Sequence, residues 1–180
     1  MKPIFAAPAL ALAMLAGTAL AQDMPSYPAS PDQIQPATVT DPQEFATKAG
    51  AAGLFEIQTS QLALTKSQNA DIKAFAQMMV TDHTKAGEAL KAAAGGQQGI
   101  SVPTDMDKDG QDKFAALNNA SGADFDKLYI QMQTAAHADA VALFSGYATN
   151  GSVGALKDFA AQTLPTLKMH YDHVMMLNKA

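Results

Sequence analysis

The chain has 180 residues, 17 of them Asp or Glu against 12 Lys, with no Arg and no Cys, for a net charge of −5. An acidic chain without Arg is poorly suited to gripping nucleic-acid phosphates or an anionic membrane surface. Without Cys there are no disulfides, no thiolate metal sites and no Cys nucleophile.

The N-terminus reads as a secretory signal over residues 1–21. Met1-Lys2 gives a positive start, an apolar run extends from Ile4 to Leu15, and Ala19 and Ala21 are the small residues a signal peptidase accepts. The run is too short to span a membrane. Cleavage is expected after Ala21, and a lipid anchor would need a Cys there. The sequence thus predicts a protein of the periplasm or the exterior, with no transmembrane segment after cleavage. Residues 22–41 carry Pro25, Pro28, Pro31 and Pro36, with Pro42 just beyond. This stretch reads as an extended, disordered leader, a spacer or tether for a helical domain over 42–180.

Asp41-Pro42 is a helix start, with Asp as cap and Pro in the first turn. The first helix is expected over 42–66, with a seam of Phe45, Ala49, Ala52, Glu56, Thr59 and Ala63 at four-three spacing. The second follows Asn69 and ends at Gly95-Gly96. Its seam is Ile72, Ala76, Met79, His83, Ala86 and Leu90. Residues 95–120 form a long connection with a short helix near 108–118. The third long helix spans 122–149, burying Phe125, Tyr129, Met132, Ala136, Ala140, Leu143 and Tyr147, with His137 at the edge of the stripe. Ser152 is expected to cap the fourth. That helix turns Leu156, Ala160, Thr163, Leu167, His170, Val174 and Leu177 inward and is kinked at Pro165. Four such helices predict an all-α antiparallel four-helix bundle. The connection between the second and third helices is either a local excursion or a crossing of the bundle's length.

Glu56, His83 and His170 occupy seam positions otherwise filled by apolar residues, and His137 borders one. Counted along the helix rise, Glu56 and His83 lie roughly 17 and 24 Å from the turn near Ser67. His137 and His170 lie roughly 21 and 29 Å from the turn near Gly151, in a bundle about 40 Å tall. All four therefore fall near mid-height, whichever way the two turns are placed. One Glu and three His form a ligand set for a transition-metal ion, Zn, Fe or Cu. Asp82 and Tyr129 are candidate hydrogen-bond partners for those ligands, and His173, one turn beyond His170, is a spare ligand. The competing reading is a buried polar network that binds nothing.

Met78-Met79 before His83, and Met169, Met175 and Met176 around His170 and His173, add thioethers that suit copper, although Met is also an ordinary core filler. Asp105-Met106-Asp107-Lys108-Asp109-Gly110 opens like a calcium loop, but Ala116 stands where the bidentate Glu belongs. An acidic helix start accounts for it as well. No serine elbow or phosphate-cradling glycine loop is present, and no catalytic residue is assigned.

The segments from Phe45 through Glu56-Ile57 and Leu62-Ala63, then Ile72-Lys73-Ala74-Phe75-Ala76-Gln77-Met78-Met79-Val80-Thr81-Asp82-His83, resemble a secreted bacterial ferritin-like domain family of unknown function, whose members are often labelled outer-membrane proteins. Phe125-Asp126-Lys127-Leu128-Tyr129, His137, Leu156-Lys157-Asp158-Phe159-Ala160 and Leu164-Pro165-Thr166-Leu167-Lys168-Met169-His170 agree with it in order. The resemblance implies a ferritin-like four-helix bundle and no particular activity. Ferritin-type di-iron sites use Glu-x-x-His on two helices. Here Val80 stands three residues before His83 and Leu167 three before His170, so a mononuclear site, or none, is expected. Three roles follow: an envelope metal-binding protein serving metal handling or stress protection, a non-enzymatic module binding an envelope protein or a second copy of itself, or a redox enzyme at a single metal.

Overall fold

A computed structural model describes residues 26–179. The expected signal segment and the first leader residues lie outside the described residues. A single 3-10 turn at Pro31–Gln33 precedes five α-helices: α1 (Pro42–Lys66), α2 (Ala70–Ala94), α3 (Lys108–Asn119), α4 (Gly122–Asn150) and α5 (Gly154–Leu177). Among the described residues there is no strand, and no helix is long and apolar enough to cross a membrane.

Capping chemistry sets the helix starts. Asp41 Oδ1 accepts from the Glu44 amide at 2.7 Å, with Pro42 in the first turn. Asn69 Oδ1 accepts from the amides of Asp71 and Ile72. Asp107 Oδ1 accepts from the Gly110 amide at 2.8 Å. The acidic run at 105–110 is thus a helix start: Asp107 is its cap and Asp109 pairs with Lys113 at 2.6 Å. Ser152 does not cap the last helix. Val153 holds that position without a side-chain bond, and Ser152 Oγ donates to the Thr40 carbonyl. α5 runs through Pro165 without interruption.

α1 and α2 pack as one hairpin and α4 and α5 as another, with α1 against α4 and α2 against α5. The core divides into two apolar halves. One joins Phe45, Leu90, Tyr147 and Leu156, from the start of α1, the end of α2, the end of α4 and the start of α5. The other joins Ala63, Ile72, Phe125 and Val174, from the opposite ends of the same helices. Neighbouring helices are therefore antiparallel and the two hairpin turns sit at opposite ends. The chain leaves α2 at one end and enters α4 at the other, so residues 95–121 cross the whole bundle. They run alongside α1: Gln43 bonds the Ser101 backbone, Pro103 lies against Gly50, and Lys66 Nζ donates to the Ala120 carbonyl.

The leader corrects an expectation. Residues 26–41 are not a loose tether; they form a strap on the bundle. Pro31 and Val39 are buried, Tyr171 donates its hydroxyl to the Pro28 carbonyl at 2.7 Å, and Lys168 pairs with Asp32 at 2.6 Å. The Ala37 amide donates to the Ala142 carbonyl at 2.8 Å. Beyond the one 3-10 turn, this proline-rich stretch bonds little with itself and lies against a helix that offers it carbonyls and room.

Candidate metal centre

Between the two apolar halves lies a buried polar layer: Glu56, Thr59 and Ser60 on α1, His83 on α2, Gln133, Thr134 and His137 on α4, and His170 on α5. Glu56, His83, His137 and His170 thus meet at mid-height, one from each long helix. His137 is not at the edge of its stripe but fully buried. The three imidazoles form a near-equilateral triangle, with ring centroids 5.6, 5.4 and 5.4 Å apart. Each offers one nitrogen to a group in which all such atoms lie within 4.8 Å of one another.

Each ring has one nitrogen engaged. His137 Nδ1 lies 2.8 Å from the Gln133 carbonyl. A carbonyl only accepts, so that nitrogen carries the proton and Nε2 keeps its lone pair. His83 Nδ1 lies 3.0 Å from Glu56 Oε2, and His170 Nε2 lies 3.1 Å from Asp82 Oδ2. Carboxylates likewise take the proton side of the ring. The nitrogens left over are His83 Nε2, His137 Nε2 and His170 Nδ1, all buried and without a hydrogen-bond partner. Three acceptors cannot satisfy one another. Glu56 Oε1, also unpartnered, lies 3.5 Å from His137 Nε2 and adds a fourth acceptor beside them.

The protonation states agree. Burial pushes His137 below its ordinary range, with the nearby His83 ring adding to this and Glu56 opposing it. Burial, followed by the His137 and His83 rings, lowers His170 to about 4 against the pull of Asp82. Burial would raise Glu56, but the imidazoles and the His83 hydrogen bond outweigh it and hold the carboxyl below its usual value. With their proton affinity lowered, His137 and His170 present electron pairs beside Glu56.

Asp82 matches the expected partner role, though it holds His170 across the helix pair rather than its chain neighbour His83. Tyr129 does not join the site. Its hydroxyl bonds Ser60 Oγ at 2.8 Å and its ring packs in the apolar half with Phe125. His173 is not a ligand either: its ring stands edge-on to Phe75 at 5.2 Å, outside the three-histidine group. Met79 fills the apolar core, while Met169 and Met176 are 49% and 61% exposed. Gln133 was not foreseen. Its carbonyl fixes the His137 tautomer, and its amide donates to Thr59 Oγ1 at 2.9 Å. The i, i−4 relation to His137 was the available signal.

Two cavities reach the cluster. One of about 280 Å³ is bordered by Glu56, His83, Gly53, Gly87, Thr163 and Leu167. The other, about 240 Å³, is bordered by Asp82, His83, Ala86, Thr163, Thr166 and His170. A larger groove of about 630 Å³, between α1, α3, α4 and the strap, touches none of the imidazoles.

The family described as "Domain of unknown function (DUF4142)" matches residues 27–177. No curated protein matches the sequence. Among solved structures the chain is similar to "CopM in the Cu(II)-bound form", at 17% identity over 77% of this chain and 96% of that one, with a TM-score of 0.65. At that identity the likeness speaks for the helical-bundle fold.

Proposed function

The chain belongs to the DUF4142 family, and from that premise we propose that it binds one transition-metal ion, Cu(II) foremost, through His83, His137 and His170. The observation that carries this reading is three histidines from three helices, each with a buried, unpartnered ring nitrogen and each offering a ligand atom within 4.8 Å of the others'. Leaving one buried acceptor unmatched costs about 1–3 kcal/mol. A cation would offset all three. Glu56 and Asp82 act mainly by orienting His83 and His170 and by supplying negative charge. An all-imidazole set suits copper and zinc, and divalent affinities peak at copper. The copper-bound state of the structurally similar CopM supports the same choice.

The role is non-enzymatic handling of the ion in the cell envelope, as buffering or stress protection, with export supported by the apolar N-terminal run. The single core carboxylate and the missing Glu-x-x-His pairs speak against di-iron chemistry. The test is metal analysis of untagged protein purified from the envelope fraction, with thermal melts in added Cu(II), Zn(II) and Fe(II). The expected result is near-stoichiometric metal and a raised melting temperature that His137→Gln abolishes. Metal-free protein whose melt none of the three ions shifts would sink the proposal.

A further inference from the structure

We infer that the ion held by the three imidazoles keeps a position open to a small oxygen- or nitrogen-donor ligand, admitted through the cavities that meet at Thr163. This rests on the metal-binding reading above and deepens it. Copper and zinc take four or more donors, and the mutually close ligand atoms number three, all imidazole. Glu56 is not in that group: its Oε2 is held by His83, and its unpartnered Oε1 lies 3.5 Å from His137, its one contact among the three rings. A closed structural site would carry a fourth protein ligand, whereas an open one leaves the place to solvent or substrate.

Two cavities border the site, both at His83 and one also at His170. Both are bordered by His83, Ala86, Phe159, Thr163 and Leu167, so the two spaces are neighbours along one seam between α2 and α5. Part of the wall is small: Gly53, Ala86, Gly87 and Ala89 stand among longer side chains such as Lys85 and Leu90. Thr163, Thr166 and Gln162 bring hydroxyl and amide groups to an approach that packing alone would have made apolar. A cavity of this size with such groups on its wall has room for water. Asp82, 28% exposed, spans the seam, with one face in the cavity and Oδ2 on His170.

The experiment is azide titration of the Cu(II)-loaded full chain, followed by the azide-to-copper charge-transfer absorption and by electron paramagnetic resonance. A saturable new band is expected. Ala86→Leu and, separately, Thr163→Met narrow the approach without touching an imidazole. Each is expected to keep bound copper and helical circular dichroism while losing the azide band. Copper bound stoichiometrically with no azide response overturns the open position and leaves the metal reading standing. An azide response unchanged in both folded variants overturns the route. Failure to bind copper at all overturns the metal reading, and this inference with it.

Discussion

Three histidines arrive at one point in the core holding three different partners: a backbone carbonyl, a buried carboxylate and a part-exposed carboxylate. That difference makes their supports separable. Asp82→Asn removes the charge behind His170 while leaving an oxygen that can still accept. It is expected to weaken copper binding by about tenfold to a hundredfold with little change in melting temperature, read by competition against a chromophoric chelator. Equal affinity in the variant would show that Asp82 does not tune the site. The same residues set an acid sensitivity. His170 titrates near 4 when folded and near its ordinary 6.5 when unfolded. Between those values the unfolded chain binds the extra proton, so metal-free stability rises with pH through this window and falls on acidification. Glu56, lowered from its usual value, continues the loss below about 4.5. The expected fall is on the order of 2 kcal/mol between pH 7 and pH 5 from His170 alone. Melts of metal-free protein across that range check it, and His170→Asn is expected to flatten the curve. Glu56, His83 and His170 were legible in the sequence because each interrupts an apolar seam, and helix rise alone put them level with His137. The pairing of Asp82 with His170 was not legible. Chain adjacency points to His83, and only the rotation of α2 against α5 decides which ring the carboxylate meets.

The strap is held by an absence on α4. A Cβ built at Gly146 would lie 1.9 Å from the Ala37 carbonyl oxygen and 2.8 Å from its carbon. Both are backbone atoms, and neither can yield by changing rotamer. In an isolated helix Gly→Ala is favourable by about 1 kcal/mol. Here Gly146→Ala is expected to lift the strap, lose the Ala37–Ala142 hydrogen bond and destabilise the fold by about 1–3 kcal/mol. Hydrogen exchange over residues 26–41 is the direct measurement: fast exchange in the variant and protection in the parent. Retained protection would mean that the Tyr171–Pro28 and Lys168–Asp32 contacts hold the strap without the close approach at Gly146. Copper affinity is expected to stay unchanged, because Gly146 lies a helix half away from the imidazoles. Proline content made this segment read as disordered. What orders it lies more than a hundred residues on, in the space left by Gly146 and the partners Lys168 and Tyr171, packing facts with no local signature. The helices themselves were legible nearly to the residue, since Asp41, Asn69 and Asp107 each announce a start chemically.

The four long helices share one layer to which all contribute, so an ion there ties both hairpins together. We expect the chain to fold without it, unlike a zinc finger. Apolar clusters above and below the layer, around Phe45 and Tyr147 and around Ile72 and Tyr129, are complete without metal, and the crossover packs α3 onto α1 independently of the histidines. Sequence could not say which way the crossover ran, because its composition is equally compatible with a local loop; the placement of the two clusters decides it. This architecture fixes what removal of the ion does. A ligand that binds only the folded state stabilises it by RT ln(1 + [L]/Kd), about 2.7 kcal/mol at a hundredfold excess over Kd. For a domain of this size that corresponds to a rise of roughly 5–10 °C in melting temperature. Chelator-stripped protein is expected to keep its helical circular dichroism, melt in a single transition and regain the lost degrees on addition of Cu(II). Collapse of helicity on chelation would mean that the apolar halves cannot stand alone. An unfolding curve split into two steps would mean that each hairpin holds its own core and that the ion, not the packing of α1 on α4 and α2 on α5, makes them one unit.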